Sequence, residues 1–132
     1  MQKPNTKTTN QNSKTEFQNR VYLYTLKSLK FIGNVNLGSD ATLRIIINQL
    51  IRSLTSIGAN IIEAKASNSK KDFARYFDIA LKSANETKYW LYLLRDLDKA
   101  DKIKIHEIIN ETIEISNILA SSLLTMRKKK DI

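Results

Sequence analysis

Two long stretches of helical periodicity, at about residues 40–66 and 70–97, constrain the fold more than any other feature of this sequence. In both, apolar or small residues recur at alternating steps of three and four, the spacing of a helix packed lengthwise against its neighbours. These seams are Leu43, Ile47, Leu50, Leu54, Ile57, Ile61 and Ala64, and then Phe73, Phe77, Ala80, Ala84, Thr87, Leu91 and Leu94. The pattern predicts an antiparallel helical hairpin about 40 Å long.

Helical patterns on either side of this hairpin complete a set of four helices. A first helix is predicted over about residues 15–32, with a broad apolar face that we expect to be covered on more than one flank. A fourth is predicted to run to about residue 126 along the seam Ile105, Ile109, Thr112, Ser116, Leu119, Leu123 and Met126. The short connections predict an all-α, antiparallel up-down-up-down four-helix bundle over residues 15–126.

Capping residues predict where three of the helices begin. Ser39 or Asp40 precedes the second helix, and the capping box from Ser69 to Asp72 places the start of the third near Lys70. A similar box at residues 98–101 is predicted to open the fourth helix.

Composition excludes several classes of function. The chain has 132 residues, no Cys and a single His, which leaves no disulfide framework and no metal cluster of thiolates or imidazoles. His106 also lacks the preceding Glu of a carboxylate-bridged metal site in a bundle.

No apolar run approaches the roughly 18 residues of a membrane span, and no signal peptide is visible, so we expect a cytoplasmic protein without membrane association. No catalytic triad or nucleotide fingerprint is present, so we predict no enzyme and no cofactor.

The net charge of +9 is concentrated at the two ends of the chain. The bases at these ends are Lys3, Lys7, Lys14, Arg127, Lys128, Lys129 and Lys130. We expect residues 1–14 to be a disordered basic tail and residues 127–132 to be a basic C-terminal tail. Such tails can bind nucleic acid, RNA or DNA, by releasing counterions from its phosphates. The same charge can instead serve solubility alone, and this alternative stays open.

Polar residues near the seams predict ion pairs between the two helices of the hairpin. When the chain folds back at the polar turn, Arg52 faces Glu86 and Glu63 faces Arg75. We interpret both pairs, together with Asn60, as structural features that set the register of the two helices. The alternative is a functional polar pocket, or an enzyme site around Asn60, Glu63 and Glu86.

Two surface stripes have more than one interpretation. Along the third helix, bases are interleaved with Tyr76, Tyr89, Trp90 and Tyr92. Core or subunit-interface anchors are favoured for these aromatic residues over stacking on nucleotides. Along the fourth helix, Glu107, Glu111 and Glu114 form an acidic strip that is either a solvated face or the contact for a basic strip on a neighbouring subunit.

The stretch SIGANIIEA, followed by DFARYFDIALKSANE, resembles the family called four-helix bundle protein or 23S ribosomal RNA intervening-sequence protein. The resemblance covers about residues 15–126. The sequence departs from the family pattern at Ala64 and Lys82, where the family has Gly. The positions that match are Arg52, Ser56, Ile57, Asn60, Ile61, Glu63, Phe73, Ala80, Ser83 and Glu86.

This resemblance implies a homo-oligomeric ring of bundles, a pentamer, with a basic surface that associates with nucleic acid. The third helix and basic C-terminus also look like the related accessory proteins of diversity-generating retroelements, in which a basic pentamer binds a reverse transcriptase and its RNA. We therefore expect a non-enzymatic oligomer that binds RNA or a ribonucleoprotein partner. The alternative is a structural oligomer that scaffolds a protein partner, binds no nucleic acid and tolerates deletion of residues 127–132.

Overall fold

The protein folds into four α-helices, which the computed structural model describes over residues 6–129, with side chains from Glu16 onwards. The helices are α1 (Thr6–Gly33), α2 (Ala41–Ala66), α3 (Lys70–Asp96) and α4 (Lys102–Lys128). Each helix packs against the next one in the chain, and α1 also packs against α4, so the four close into a ring. Residues 6–129 contain no strand. The prediction of an all-α, up-down-up-down four-helix bundle is confirmed.

The starts of α2 and α3 are set by the predicted caps. The carboxylate of Asp40 accepts a hydrogen bond from the backbone N–H of Leu43 at 3.0 Å. The hydroxyl of Ser69 accepts one from the backbone N–H of Asp72 at 3.1 Å. Each cap therefore satisfies an N–H group that has no partner inside its helix.

The start of α4 differs from the prediction. Asp98 has a φ of 60°, in the left-handed region, so it ends α3 and cannot open a new helix. The N-cap of α4 is Asp101, whose carboxylate accepts from the backbone N–H of Lys104 at 2.9 Å. The helix therefore begins three residues later than a box capped by Asp98 implies.

The outer helices are longer than predicted. α1 already begins at Thr6, which corrects the expectation of disorder for residues 6–14. No Gly or Pro lies between Pro4 and Gly33, so the helix can propagate backwards from its packed turns without a break. α4 extends to Lys128, so Arg127 and Lys128 belong to a helix and not to a tail.

The core consists largely of the predicted seams. All the predicted seam residues of α2 are buried, and Leu50, Ile57 and Ala64 have no exposed surface at all. In the seams of α3 and α4, only Phe73 and Met126, both near one end of the bundle, are half-buried. Burial of this apolar surface, at about 25 cal/mol per Å², is the main source of stability.

α2 has the composition of a membrane-spanning helix. Among residues 6–129 it is the one helix long and apolar enough to cross a membrane, with a mean hydropathy of 1.3. The expectation that no segment has this character was too strict, because it relied on uninterrupted apolar runs. Eight residues of α2 are buried against the other helices, and a core helix has the same composition.

α1 is the least covered of the four helices. Val21 and Tyr24 are buried, and the Tyr24 hydroxyl is hydrogen-bonded to Thr112 Oγ1 at 2.6 Å. Burial raises the pKa of Tyr24, although this hydrogen bond opposes the shift. Tyr22 and Leu23, however, are 64% and 62% exposed. The single chain therefore covers α1 on two flanks, by α2 and by α4, as predicted, but it leaves Tyr22 and Leu23 outside both contacts.

Ion pairs hold α1 against α4. Arg20 Nε lies 2.8 Å from Glu111 Oε1, and Arg20 Nη2 lies 2.7 Å from Glu114. Lys27 lies 3.5 Å from Glu107. The acidic strip on α4 therefore meets a basic strip on α1 of the same chain. The Arg20 guanidinium lowers the pKa of Glu111 through its hydrogen bonds, against a smaller opposing effect of burial.

We expect Glu111→Gln to destabilise the protein at neutral pH but not in acid. A carboxyl with a lowered folded-state pKa contributes stability above its unfolded pKa, about 4.3, and loses it as the pH falls through the folded value. We expect a loss of about 0.5–1 kcal/mol at pH 7, since the pair is partly solvated. Urea unfolding from pH 7 down to pH 3 measures it. If the variant were still less stable than wild type at pH 3, the loss of stability would not come from the charge of Glu111.

Candidate nucleic-acid interface

The bundle topology gathers bases from three parts of the sequence at one end. The α2–α3 turn and the end of α4 meet there, because α2 and α4 run in the same direction and α3 runs back. We call this end the basic pole, defined by Lys65, Lys70, Lys71, Arg127, Lys128 and Lys129. The start of α1 lies at this end too, since its ion pairs with α4 show antiparallel packing.

The positive charge of the basic pole is largely uncompensated. Its five lysines form no ion pair with any residue in the described part of the chain. Arg127 lies 3.9 Å from Asp78, which also pairs with Lys82. The nearest acids along the chain are Glu63, Asp72 and Asp131, which leaves the six bases of the pole with an excess of positive charge. Such a surface attracts phosphate groups.

Helix stability explains some of these bases but not all. Lys65 in α2, and Arg127 and Lys128 in α4, lie in last turns, where a base complements the negative end of the helix dipole. Lys70 and Lys71 are the first two residues of α3, at the positive end of its dipole, where bases are unfavourable. Their position therefore indicates a role other than stabilising the helix.

A cavity of about 1060 Å³ opens at the basic pole, between the α2–α3 turn and the last turns of α4. Its apolar lining is Ala64, Phe73 and Met126, which are buried or half-buried and so form the floor. The exposed bases Lys65, Lys70 and Lys129 form its rim. Hydroxyl and amide side chains complete the lining: Ser67, Asn68, Ser69, Ser121, Ser122 and Thr125.

The predicted tail bases have different outcomes. Arg127, Lys128 and Lys129 lie at the basic pole, as the end of a helix. Lys7 and Lys14 belong to α1, whose side chains are described only from Glu16, and Lys3 and Lys130 lie outside the described residues. Sequence reasoning missed Lys65, Lys70 and Lys71. The available signal was topological, because an up-down-up-down bundle brings the second turn and the C-terminus to the same end.

One of the two predicted ion pairs is present. Arg52 Nη2 donates to Glu86 Oε2, and the indole N–H of Trp90 donates to the same oxygen at 2.9 Å. The pair is more exposed than a register-setting core pair, with 59% of the Arg52 side chain accessible, so it contributes at most about 1 kcal/mol. Asn60 donates to the Ser56 carbonyl at 2.8 Å, a contact within α2 and not between the two helices.

The predicted pair between Glu63 and Arg75 is wrong. Arg75 instead lies 3.6 Å from Asp72, one turn earlier on α3, and 4.5 Å from the centre of the Tyr76 ring. An ion pair between residues three positions apart on one helix needs no contact between two helices. The pair of Arg75 with Asp72 therefore forms in preference to the pair with Glu63. Glu63 is exposed and has no ion pair within residues 16–129.

The alternative enzyme site is not assembled. Glu86 is bonded to Arg52, and Glu63 lies eleven residues further along α2, about 16 Å away at 1.5 Å per residue. Asn60, Glu63 and Glu86 therefore do not converge on one point. Within the described residues no three His, Asp or Glu side chains lie close enough together to hold a metal ion.

The aromatic stripe of α3 is mostly part of this chain's own packing. Tyr76, Trp90 and Tyr92 are half-buried against the core, and Arg95 lies 5.0 Å from the centre of the Tyr92 ring. Tyr89 is the exception, since it is 56% exposed. The interpretation as core anchors therefore holds for three of the four residues.

Comparison with known proteins identifies the family. The model of the family described as 23S rRNA-intervening sequence protein matches residues 16–121. This chain belongs to that family. It is also similar to the crystal structure of a protein of unknown function from the S23 ribosomal protein family of Bacteroides thetaiotaomicron. That similarity has 33% identity and a TM-score of 0.72, and it covers 81% of this chain and 97% of the other. No curated protein matches the chain.

The residues that resemble the intervening-sequence protein family line the contact between α2 and α3. Ser56 and Ser83 share a hydrogen bond at 2.8 Å, between the Asn60 contact and the Arg52–Glu86 pair. Small hydroxyl residues let two helices approach closely while their polar groups stay hydrogen-bonded. Ala64 and Lys82, the two positions where the family pattern has Gly, do not disturb this contact. Ala64 is fully buried, and Lys82 is exposed and lies 3.4 Å from Asp78. The motif is therefore a packing motif.

Proposed function

We propose that this intervening-sequence family protein binds RNA through its basic pole and catalyses no reaction. The observation that carries the proposal is the pair Lys70 and Lys71, located where the helix dipole disfavours them and beside three other unpaired lysines. Two lysines at this end of a helix reduce its stability, and a bound polyanion would offset that loss by neutralising their charge. The family description, which names 23S rRNA, supports RNA as that polyanion.

The contacts expected at the pole are with phosphates. Lysine ammonium groups act as point charges on phosphate oxygens, and the Ser67 to Ser69 turn adds hydroxyl, amide and backbone donors. Most of the free energy then comes from counterion release, which requires no base sequence. The interaction is therefore strong at low salt and broadly tolerant of sequence.

Salt dependence tests this proposal. We expect the logarithm of the RNA association constant to fall linearly with the logarithm of salt concentration, with a slope of about −3 to −5 for five phosphate contacts. Fluorescence anisotropy of a labelled RNA, titrated from low to moderate salt, gives the slope. An affinity that does not change with salt would contradict phosphate binding and favour the alternative of a scaffold for a protein partner.

We further propose that the chain assembles with copies of itself, five in number as the resemblance implies. The support is a set of exposed apolar residues on the outer face of α1 and the adjacent part of α2: Tyr22, Leu23, Leu26 and Ile62. Tyr22 and Ile62 line the groove between α1 and α2, and Leu23 lines the groove between α1 and α4. Exposed apolar side chains grouped around one helix in this way are typical of an interface between proteins. We propose that a second copy of the chain covers this surface, either with the same surface or with another of its faces.

We expect Leu23→Asp to lower the molecular mass measured by light scattering, because it places a charge on this apolar surface. Leu23 is 62% exposed, so the change should leave the helical content unaltered. The matched control is Ile103→Asp, at the start of α4, where the residue is 74% exposed. Equal masses for Leu23→Asp and wild type would show that α1 does not form the interface.

The role beside a reverse transcriptase stays a prediction from the resemblance. It adds a protein partner to the RNA and uses the same basic surface. Co-purification of the chain with such an enzyme, with and without RNA, is the corresponding measurement.

A further inference from the structure

The groove between α1 and α4 is negatively charged, although the protein as a whole is strongly basic. It has a volume of about 590 Å³, and its charged lining is Glu16, Arg20, Lys27, Glu107 and Glu111. Glu114 lies at its edge, 2.7 Å from Arg20. Four carboxylates against two bases leave a charge of −2, in a chain whose net charge is +9. The groove therefore attracts cations, which most of the surface repels.

A buried hydroxyl without a partner lies in the wall of this groove. Ser28 lines the groove and is 1% exposed, and its Oγ forms no hydrogen bond within residues 16–129. Other buried hydroxyls of the core are bonded, for example those of Ser53 and Thr112. A buried polar group without a partner is unfavourable, because it has lost its hydrogen bonds to water. Ser28 therefore indicates that a ligand in the groove completes this hydrogen bond.

The hydroxyl oxygens and the unpaired carboxylate of the groove are hydrogen-bond acceptors. Thr112 donates its one hydroxyl hydrogen to the Ile108 carbonyl at 2.7 Å, so Tyr24 is the donor in their shared bond. The oxygens of Tyr24 and Ser28 are then both able to accept. Glu16 forms no ion pair with any described side chain. A ligand that suits this groove therefore brings donors and positive charge, which an ammonium group combines.

The carboxylates of the groove follow one another at regular steps. Glu107 and Glu111 are four residues apart on α4, which is about 6 Å at 1.5 Å per residue. Glu111 lies level with Arg20, and Glu16 is four residues before Arg20 on α1, about another 6 Å along the groove. Ammonium groups joined by three or four methylenes have a similar separation. A linear polyamine therefore matches the spacing, and its methylenes can lie on the apolar side chain of Ile108.

The ion pairs already present in the groove leave room for such a ligand. Lys27 lies 3.5 Å from Glu107 and both side chains are exposed, so this contact is weak. Glu111 accepts from Arg20 Nε and Nη2 at 2.8 and 3.0 Å, but a carboxylate has about four lone-pair sites and can accept further donors. The volume of the groove also lies within the range of pockets for small ligands, about 300–1,000 Å³.

We propose that the groove between α1 and α4 binds a linear aliphatic polyamine. One ammonium group donates to Glu107 and to Ser28 Oγ, and the others pair with Glu111 and Glu16. The inference does not rest on RNA binding or on self-assembly. Because the protein as a whole repels cations, binding of a polycation reports a local site and not the general charge of the surface.

The test is isothermal titration calorimetry of the full chain, free of RNA, with spermidine at moderate salt. We expect one spermidine to bind per chain. Butylamine carries a single ammonium group on a similar chain, as a lysine side chain does, and we expect it to bind at least about tenfold more weakly, because it satisfies one carboxylate of the three. Absence of spermidine binding would overturn the proposal, and so would equal affinity for the two amines.

Variants in the groove locate the binding site. We expect Ser28→Ala to weaken spermidine binding about tenfold, since it removes a hydrogen bond to a charged group. It should leave the stability of the unliganded protein unchanged or raise it, because the hydroxyl has no partner there. Glu16→Gln should weaken binding about threefold, and Glu63→Gln, at an exposed and unpaired acid on α2, is the matched control without effect. Wild-type affinity in both groove variants would place spermidine elsewhere and overturn the proposal.

Discussion

Ile57→Asp is expected to unfold the protein. Ile57 has no exposed surface and lies in the seam of α2 at the centre of the core. The substitution places a carboxylate among apolar side chains that offer it no hydrogen bond, and it also removes the apolar volume of the isoleucine. We expect a loss of at least about 4 kcal/mol, which is a large part of the total stability of a domain of this size. Circular dichroism and urea unfolding measure it.

The control for this variant makes the same chemical change on the same helix. Ile45→Asp alters a residue that is 62% exposed, so we expect its stability to stay within about 0.5 kcal/mol of wild type. A stable, fully helical Ile57→Asp protein would mean that the core does not lie where the structure places it.

The largest expected effect on binding comes from neutralising the rim of the pole cavity. We expect the triple variant Lys65→Gln, Lys70→Gln and Lys129→Gln to reduce RNA affinity about 100-fold at physiological salt. The salt slope should become shallower by about 2 to 3, because each lost phosphate contact removes about 0.7–0.9 from it. Glutamine keeps a long polar side chain, so the loss reports the charge. Anisotropy titrations of the two proteins over the same salt range give both quantities.

A second triple variant controls for net charge. Lys99→Gln, Lys102→Gln and Lys104→Gln remove the same charge at the opposite end of the bundle, where all three lysines are exposed. We expect a small loss of affinity from weaker long-range attraction. If both triple variants lose the same affinity, binding depends on total charge and not on the basic pole.

The inner helices were predictable because their information is local and repeated. Residues such as Leu50 and Leu91 recur at helical spacing over several turns, so one misjudged position does not change the buried face. Asp40 and Ser69 then fix the helix starts through bonds to residues three positions away. Such contacts depend on short stretches of sequence, and the structure confirms them.

The outcomes that the sequence did not predict depend on contacts between distant residues. The exposure of Tyr22 depends on which other helices cover α1, and the apolar pattern of α1 alone does not specify them. Arg75 pairs with Asp72 and not with Glu63, because Asp72 lies one turn away on the same helix. The basic pole is a product of topology, since Lys70 and Lys129 are far apart in sequence and line one cavity only after the helices pack.

The first and last described turns of the chain lie side by side at the basic pole, and this placement matters for engineering the protein. A reporter domain fused to either terminus would stand over the surface that we assign to RNA and would compete with it for space. A circular permutant that joins the present ends through a flexible linker and opens between α3 and α4, near Lys99, would carry its new termini at the opposite end. The ring of helices would be retained and the basic surface left open.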